Sequence, residues 1–163
     1  MKAIYPGSFD PFTLGHLGIL ERAAKLFDHI DVVIANNRSK KYMFNPEQRL
    51  NIAKMSVAHL GEAIRVKCYS GLVVDYIRDE QIDMIIRGIR GSADLDYEIK
   101  LEHFNSLASN AGTVYFTPKT EQMSTSSSLV RMFIDTHNMH LISNYMVPEA
   151  VEYINSLDLW KER

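Results

Sequence analysis

"YPGSFDPFTLGH", Tyr5 to His16, links a short apolar run, "KAIY" (Lys2 to Tyr5), to a helical pattern, "LGILERAAKLF" (Leu17 to Phe27). A strand-to-helix connection needs only a turn residue and a cap. This one carries Gly7, Ser8, the Asp10-Pro11 pair, Thr13, Gly15 and His16. Leu17, Leu20, Ala24 and Phe27 recur at helical spacing, so the helix is expected from about His16 to Phe27, with Thr13 suited to its N-cap. Whether the chemically loaded connection matters depends on whether the strand-helix unit repeats.

It repeats. "DVVIAN" (Asp31 to Asn36) is the β-branched run of a strand covered on both faces. Pro46 opens a helix through Leu60. "IRVKCY" (Ile64 to Tyr69), "DMIIRG" (Asp83 to Gly88) and "TVYFTP" (Thr113 to Pro118) read as three further strands. They are separated by the helical patterns "LVVDYIRDEQ" and "DLDYEIKLEHFNSLA". "STSSS" opens another helix, and a last one runs from Pro148 to about Leu159. The alternation predicts an α/β fold: a Rossmann-like, doubly wound, five-stranded parallel sheet with right-handed crossovers. With no internal repeat and no linker, residues 1–163 are read as a single domain, with C-terminal helices from about 126 onward.

Composition narrows the partners. The chain has 163 residues, a formal net charge of −2 and 23% charged residues, so no basic field suits a nucleic-acid backbone. Cys68 is the only cysteine, which excludes an intrachain disulfide and fits a reducing compartment. Pro6 and Gly7 arrive too early for a signal-peptide apolar region, and no apolar run approaches a membrane span. A cytoplasmic protein without a membrane partner is expected.

In such a sheet, ligands bind beyond the carboxyl ends of the strands. Those are the positions where this chain concentrates its chemistry. After the first strand comes "PGSFDPFTLGH", after the second "NRSKK", after the fourth "RGIRGSADLDYE" and after the fifth "TEQMSTSSS". These loops offer Ser8, Thr13, His16, Lys40, Lys41, Arg87, Arg90 and Ser126 to Ser128. Several cations, glycines and two helix N-termini describe a polyphosphate site, whereas each loop alone would be a turn with solvated charges. Neither G-x-x-x-x-G-K-[ST] nor G-x-G-x-x-G occurs in the opening segment, which disfavours a P-loop enzyme and a dinucleotide-dependent dehydrogenase.

"TLGH" (Thr13 to His16) resembles the [HT]-x-G-H signature of the nucleotidyltransferases related to class I aminoacyl-tRNA synthetases. The longer strings "YPGSFDPFTLGH", "IIRGIRGSADLDYE" and "SSSLV" resemble the bacterial phosphopantetheine adenylyltransferases over nearly the whole chain, in matching order. The resemblance implies transfer of the adenylyl group of ATP to 4′-phosphopantetheine, giving dephospho-coenzyme A and pyrophosphate, with Mg²⁺ as cofactor. It further implies a homohexamer and feedback inhibition by coenzyme A.

By matching position, His16 would hold the ATP α-phosphate and stabilise the transition state. Ser8 and Phe9 would contact ATP, with Ser8 also near the acceptor phosphate. Lys40 and Arg87 would bind phosphopantetheine, and Val73 would line its path. Gly88, Ile89, Arg90 and Glu98 would contact ATP. The segment Gln122, Met123, Ser124, Thr125, Ser126, Ser127 and Ser128 would wrap its adenine and phosphates. Gly7 and Gly15 would let the ligand approach the backbone. No protein metal ligand is assigned. Two departures from the family stand out: "QMSTSSS" lacks the aromatic and Ile expected before its serines, and Gly91 and Ser92 replace bulkier residues.

The nearest rival is a sister nucleotidyltransferase acting on nicotinamide mononucleotide or glycerol phosphate, although such relatives usually carry His where Thr13 stands. A non-catalytic adenine-nucleotide sensor is a rival of another class, but it would need no second anion site. His137 and His140 form an H-x-x-H pair with no third ligand nearby and read as surface residues. His29, His59 and His103 read as helix-face residues, and Asp10 as shaping its turn.

Overall fold

The computed structural model describes residues 1–37 and 39–157, apart from the side chains of 93, 97 and 104–107. Five strands form one parallel sheet: β1 (Lys2–Gly7), β2 (His29–Ala35), β3 (Ile64–Tyr69), β4 (Met84–Gly88) and β5 (Gly112–Phe116). Their order is β3-β2-β1-β4-β5. The helices are α1 (Leu14–Ala23), α2 (Pro46–Val57), α3 (Val73–Asp79), α4 (Ser92–Ala108), α5 (Ser127–Asp135) and α6 (Pro148–Ser156). The expected alternation and strand count are all present, with short 3₁₀ segments added at Ala58–Leu60, Thr120–Gln122 and Met139–Asn144.

Period-two alternation explains how the sheet is covered twice. Ala3 and Tyr5 of β1 pack with Ile30, Val32 and Ile34 of β2 against α1, α2, α5 and α6. Ile4 and Val33 face the other way, against Tyr76 and Ile77 of α3. Both layers are buried, so the central strands are apolar on both faces, except where the buried Asp31 of β2 is paired by Arg65 and Tyr76.

Some expected boundaries move. Helix α1 ends at Ala23, and Ala24 to Phe27 turn back through Phe27 N–H to the Ala23 carbonyl. Phe27 still reaches the core from that turn, which is why it kept the helical spacing. His29 opens β2 and lies on no helix. The expected end of the last helix near Leu159 lies outside the described residues, and α6 is described to Ser156.

The strand order reverses between β1 and β4, the switch point where a crevice forms in open parallel sheets. Pairing of β1 with β2 continues to Gly7↔Ile34, whereas pairing with β4 stops at Ile4↔Ile85. Pro6 has no amide proton with which to extend the second ladder. The carboxyl ends of β1 and β4 therefore part, and the loops that follow them face each other across the gap.

Candidate active site

A cavity of about 260 Å³ occupies that gap, walled by the end of β1, the β1–α1 loop, the end of β4 and the first turns of α4 and α5. His16 stands on its wall, one of three Phe and Tyr rings around it being Phe9 at 5.1 Å, with Phe12 at 5.3 Å and Tyr5 at 6.5 Å between centroids. Thr13 is the N-cap of α1, and its backbone N–H donates to His16 Nδ1 at 3.0 Å. An N–H can only donate, so Nδ1 accepts and the neutral ring carries its proton on Nε2. Although one edge of the ring reaches the cavity, enclosure lowers its pKa from 6.5 to about 3, helped by the Arg90 charge. The result is a neutral donor at a helix N-terminus.

The loop that carries Ser8 and Phe9 is held from outside the cavity. Phe9 adopts φ 45°, a left-handed state that costs energy in a residue with a Cβ. Asp10, buried and joined to Pro11 by a cis peptide, accepts from the Met43 and Phe44 amides at 2.9 and 3.0 Å. Asp10 therefore ties the loop to the approach of α2, a wider task than shaping its own turn.

Three arginines line the cavity: Arg87, Arg90 and Arg131. Arg87 is engaged: its Nε and Nη2 donate to the two Glu98 carboxylate oxygens at 2.5 and 2.7 Å. Both side chains are mostly buried, which strengthens such a forked pair. Glu98, expected to touch ATP, thus holds the arginine expected to touch the acceptor. Arg131 was missed in the sequence because "LVRMF" reads as ordinary helix. It stands on the first turns of α5 and donates to the Asp10 carbonyl at 2.7 Å and to Ser128 Oγ at 3.1 Å. Its place one turn after the serines was the available signal.

Of the sequence-derived residues, Ser8, Phe9, His16, Arg87, Gly88, Arg90, Glu98 and Ser127 line this cavity. Val73 lies elsewhere, on a second cavity of about 520 Å³ beyond β2 and β3, beside Asn36, Asn37 and Leu72. Lys40 is exposed and lines neither cavity, and Ile89 is engaged through its N–H with the Phe116 carbonyl at 2.9 Å. In the 122–128 segment, Met123 and Ser124 face solvent and Thr125 is buried. Ser126 caps α5, its Oγ accepting from Leu129 N–H at 3.1 Å, and Ser127 Oγ donates to the Pro11 carbonyl. Gln122 lies against Gly18 with its Oε1 buried and unpartnered.

The two glycines of the opening stretch serve the protein's own packing. A Cβ at Gly7 would meet the Phe9 ring at 2.8 Å, and one at Gly15 would meet the Thr125 carbonyl at 3.3 Å. Gly15 lets the 122–128 segment dock on α1, which brings the fifth loop to the first.

The donor set does not fit a resident Mg²⁺. Among the described residues no cluster of three or more His, Cys, Asp or Glu is found. The cavity's two carboxylates are committed, Asp10 to backbone amides and Glu98 to Arg87. No described helix is long and apolar enough to cross a membrane.

Comparison with known proteins agrees with this geometry. A cytidylyltransferase-like family model matches residues 4–133. The chain is 42% identical over 151 residues to the phosphopantetheine adenylyltransferase of Nautilia profundicola, covering 91% of this chain and 97% of that one. It is 40% identical over 152 residues to the phosphopantetheine adenylyltransferase of Actinobacillus succinogenes, covering 93% of each. A solved Vibrio parahaemolyticus structure described as a nicotinate-nucleotide adenylyltransferase superposes with a TM-score of 0.70 over 99% of this chain and 96% of that one, at 16% identity, a likeness of fold. This chain belongs to the cytidylyltransferase-like family and, within it, to the phosphopantetheine adenylyltransferases.

Proposed function

We propose that the protein transfers the adenylyl group of ATP to 4′-phosphopantetheine, giving dephospho-coenzyme A and pyrophosphate. The observation that carries this reading is the fixed tautomer of His16, whose Nε2–H is left free on the wall of a cavity lined by three arginines. An acceptor phosphate is already anionic at neutral pH, so no base has to deprotonate it. One of its oxygens attacks the α-phosphorus of ATP, the bond to the bridging α–β oxygen breaks, and pyrophosphate leaves with the electron pair. The difficulty is bringing two anions together and holding the added charge on the α-phosphate. Positioned cations and preorganised donors meet it.

In this reading His16 Nε2–H donates to an α-phosphate oxygen where the α1 N-terminus already favours an anion. Arg90 and Arg131 neutralise the β- and γ-phosphates, while Ser8 and Phe9 shape the turn between nucleotide and acceptor. Arg87 takes the acceptor phosphate when it exchanges the Glu98 carboxylate for two phosphate oxygens, and Lys40 closes from its exposed loop. Val73 and the second cavity receive the pantetheine arm. The 122–128 segment covers the adenine. Mg²⁺ arrives as the counter-ion of ATP, because the described residues offer it no cage of their own. Coenzyme A, which shares the phosphopantetheine moiety, inhibits by occupying the acceptor path. The protein works in the cytoplasm as a homohexamer.

The deciding experiment measures pyrophosphate release from ATP with 4′-phosphopantetheine, pantetheine, nicotinamide mononucleotide or glycerol phosphate as acceptor. Release with 4′-phosphopantetheine alone is expected. Release with either of the other phosphates instead would assign a sister reaction, and ATP binding without release under any condition would leave a sensor.

A further inference from the structure

Arg49 of α2 is fully buried, yet its polar partners among the described residues are all neutral. Nη1 donates to the Ser8 carbonyl at 2.8 Å and, at 3.4 Å, to the Ala35 carbonyl. Nη2 donates to Asn36 Oδ1 at 2.7 Å. The Tyr42 ring lies 3.9 Å from the guanidinium carbon, and Nε is buried without any partner. A guanidinium cannot shed its proton to suit an apolar site, and burying one without a carboxylate is costly. Methionine or leucine would fill the same space without that cost. Packing alone therefore does not account for an arginine here.

Its contacts give the reason. Ser8 stands on the wall of the first cavity, and Ala35 and Asn36 stand on the wall of the second. Arg49 spans the two from behind, joining the turn after β1 to the end of β2. The Ser8 bond also holds the chain where Phe9 must enter its left-handed φ of 45°.

We propose that Arg49 is a positioning residue for adenylyl transfer: it fixes the two cavity walls relative to each other, and its uncompensated positive charge favours the anions that enter them. It touches neither substrate and acts through Ser8 and Asn36. The cavity assignments rest on the adenylyl-transfer reading above.

Three variants test this: Arg49→Met, Arg49→Lys and Asn36→Asp. The last keeps an acceptor for Nη2 but places a carboxylate against the guanidinium. Each is measured for the melting temperature of the free protein, for inorganic pyrophosphate binding by calorimetry, and for kcat and KM. Arg49→Met, which loses both the charge and its hydrogen bonds to Ser8 and Asn36, is expected to bind pyrophosphate about tenfold more weakly and to lose about tenfold or more in kcat. Arg49→Lys restores charge without the fork, so it recovers pyrophosphate affinity and leaves kcat low. Asn36→Asp should melt higher and bind pyrophosphate more weakly.

Wild-type pyrophosphate affinity and kcat in Arg49→Met would overturn the proposal. So would an Arg49→Met protein that fails to fold beside an Asn36→Asp protein that binds pyrophosphate normally, since a purely structural clamp behaves that way. Dephospho-coenzyme A formation by the wild type is assayed alongside. Its absence would defeat the functional reading, while the pyrophosphate and melting comparisons would still decide whether Arg49 serves an anion site.

Discussion

His16 shows how one backbone hydrogen bond decides a role. With Nδ1 committed to Thr13 N–H and the ring's pKa lowered to about 3, it is a poor base and a ready donor. Removing one preorganised transition-state donor costs about 2.7–4 kcal/mol, so His16→Ala should fold, bind ATP and lose roughly 100- to 1,000-fold in kcat. His16→Gln, which can still donate, should recover part of that loss, and steady-state kinetics of both variants check it. The same residue shapes acid stability. Between its unfolded value of 6.5 and about 3 the unfolded chain binds a proton that the folded chain refuses, so stability falls as pH drops through that window and is flat above it. Melting curves of His16→Gln should be flatter than wild type from pH 6.5 to 4.5. Arg87 carries a third expectation, since its fork now grips Glu98 and, in our reading, must grip a phosphate. Arg87→Lys cannot fork, and should raise KM for 4′-phosphopantetheine more than KM for ATP. Equal increases for both substrates would count against the assignment.

At the scale of elements, the two ends of the sheet are built on opposite principles. The carboxyl ends part to leave room for ligands, whereas the amino ends are locked by ion pairs. Asp31 of β2 is fully buried and accepts from Arg65 of β3 at 2.9 and 3.2 Å and from the Tyr76 hydroxyl of α3 at 3.0 Å, with Lys2 of β1 at 3.6 Å. Asp31→Asn removes the one buried anion these groups share. It should cost about 3 kcal/mol, read from the urea midpoint, near the low end for a broken buried pair because Arg65 can turn to solvent. Glu80 completes the lock. Hydrogen bonds from Lys2 and Lys67 hold its pKa down from 4.5 to about 2. Its contribution is whole above pH 4.5 and is lost as pH falls toward 2, so Glu80→Gln should flatten the most acidic part of the melting profile.

At the scale of the molecule, Leu72, Ile99 and Met132 stand exposed as large apolar side chains, which suits the proposed assembly. Light scattering at micromolar concentration should return a multiple of the 18.7 kDa chain mass, and a monomer mass would defeat the hexamer. The sheet itself was legible because a buried strand and an amphipathic helix each write a local period. "DVVIAN" and "IRVKCY" could hardly be anything else, and Pro46 and Ser126 announced the starts of α2 and α5. The loaded loops were legible too, since topology sends every carboxyl-end loop of a parallel sheet to one edge. Legibility failed where a residue's partner is distant in sequence. Nothing local in "EQRL" says that Arg49 reaches back 41 positions to Ser8, or that Glu98 would claim Arg87. Gly15 looked like a place for a ligand until Thr125 filled it. The sequence alone determined the succession of strands and helices along the chain and the loops that bear the chemistry, because those follow from short-range periodicity and chain direction. Only the tertiary structure decided which cations are free, which are paired and which way His16 holds its proton, because packing sets those contacts between residues far apart in the chain.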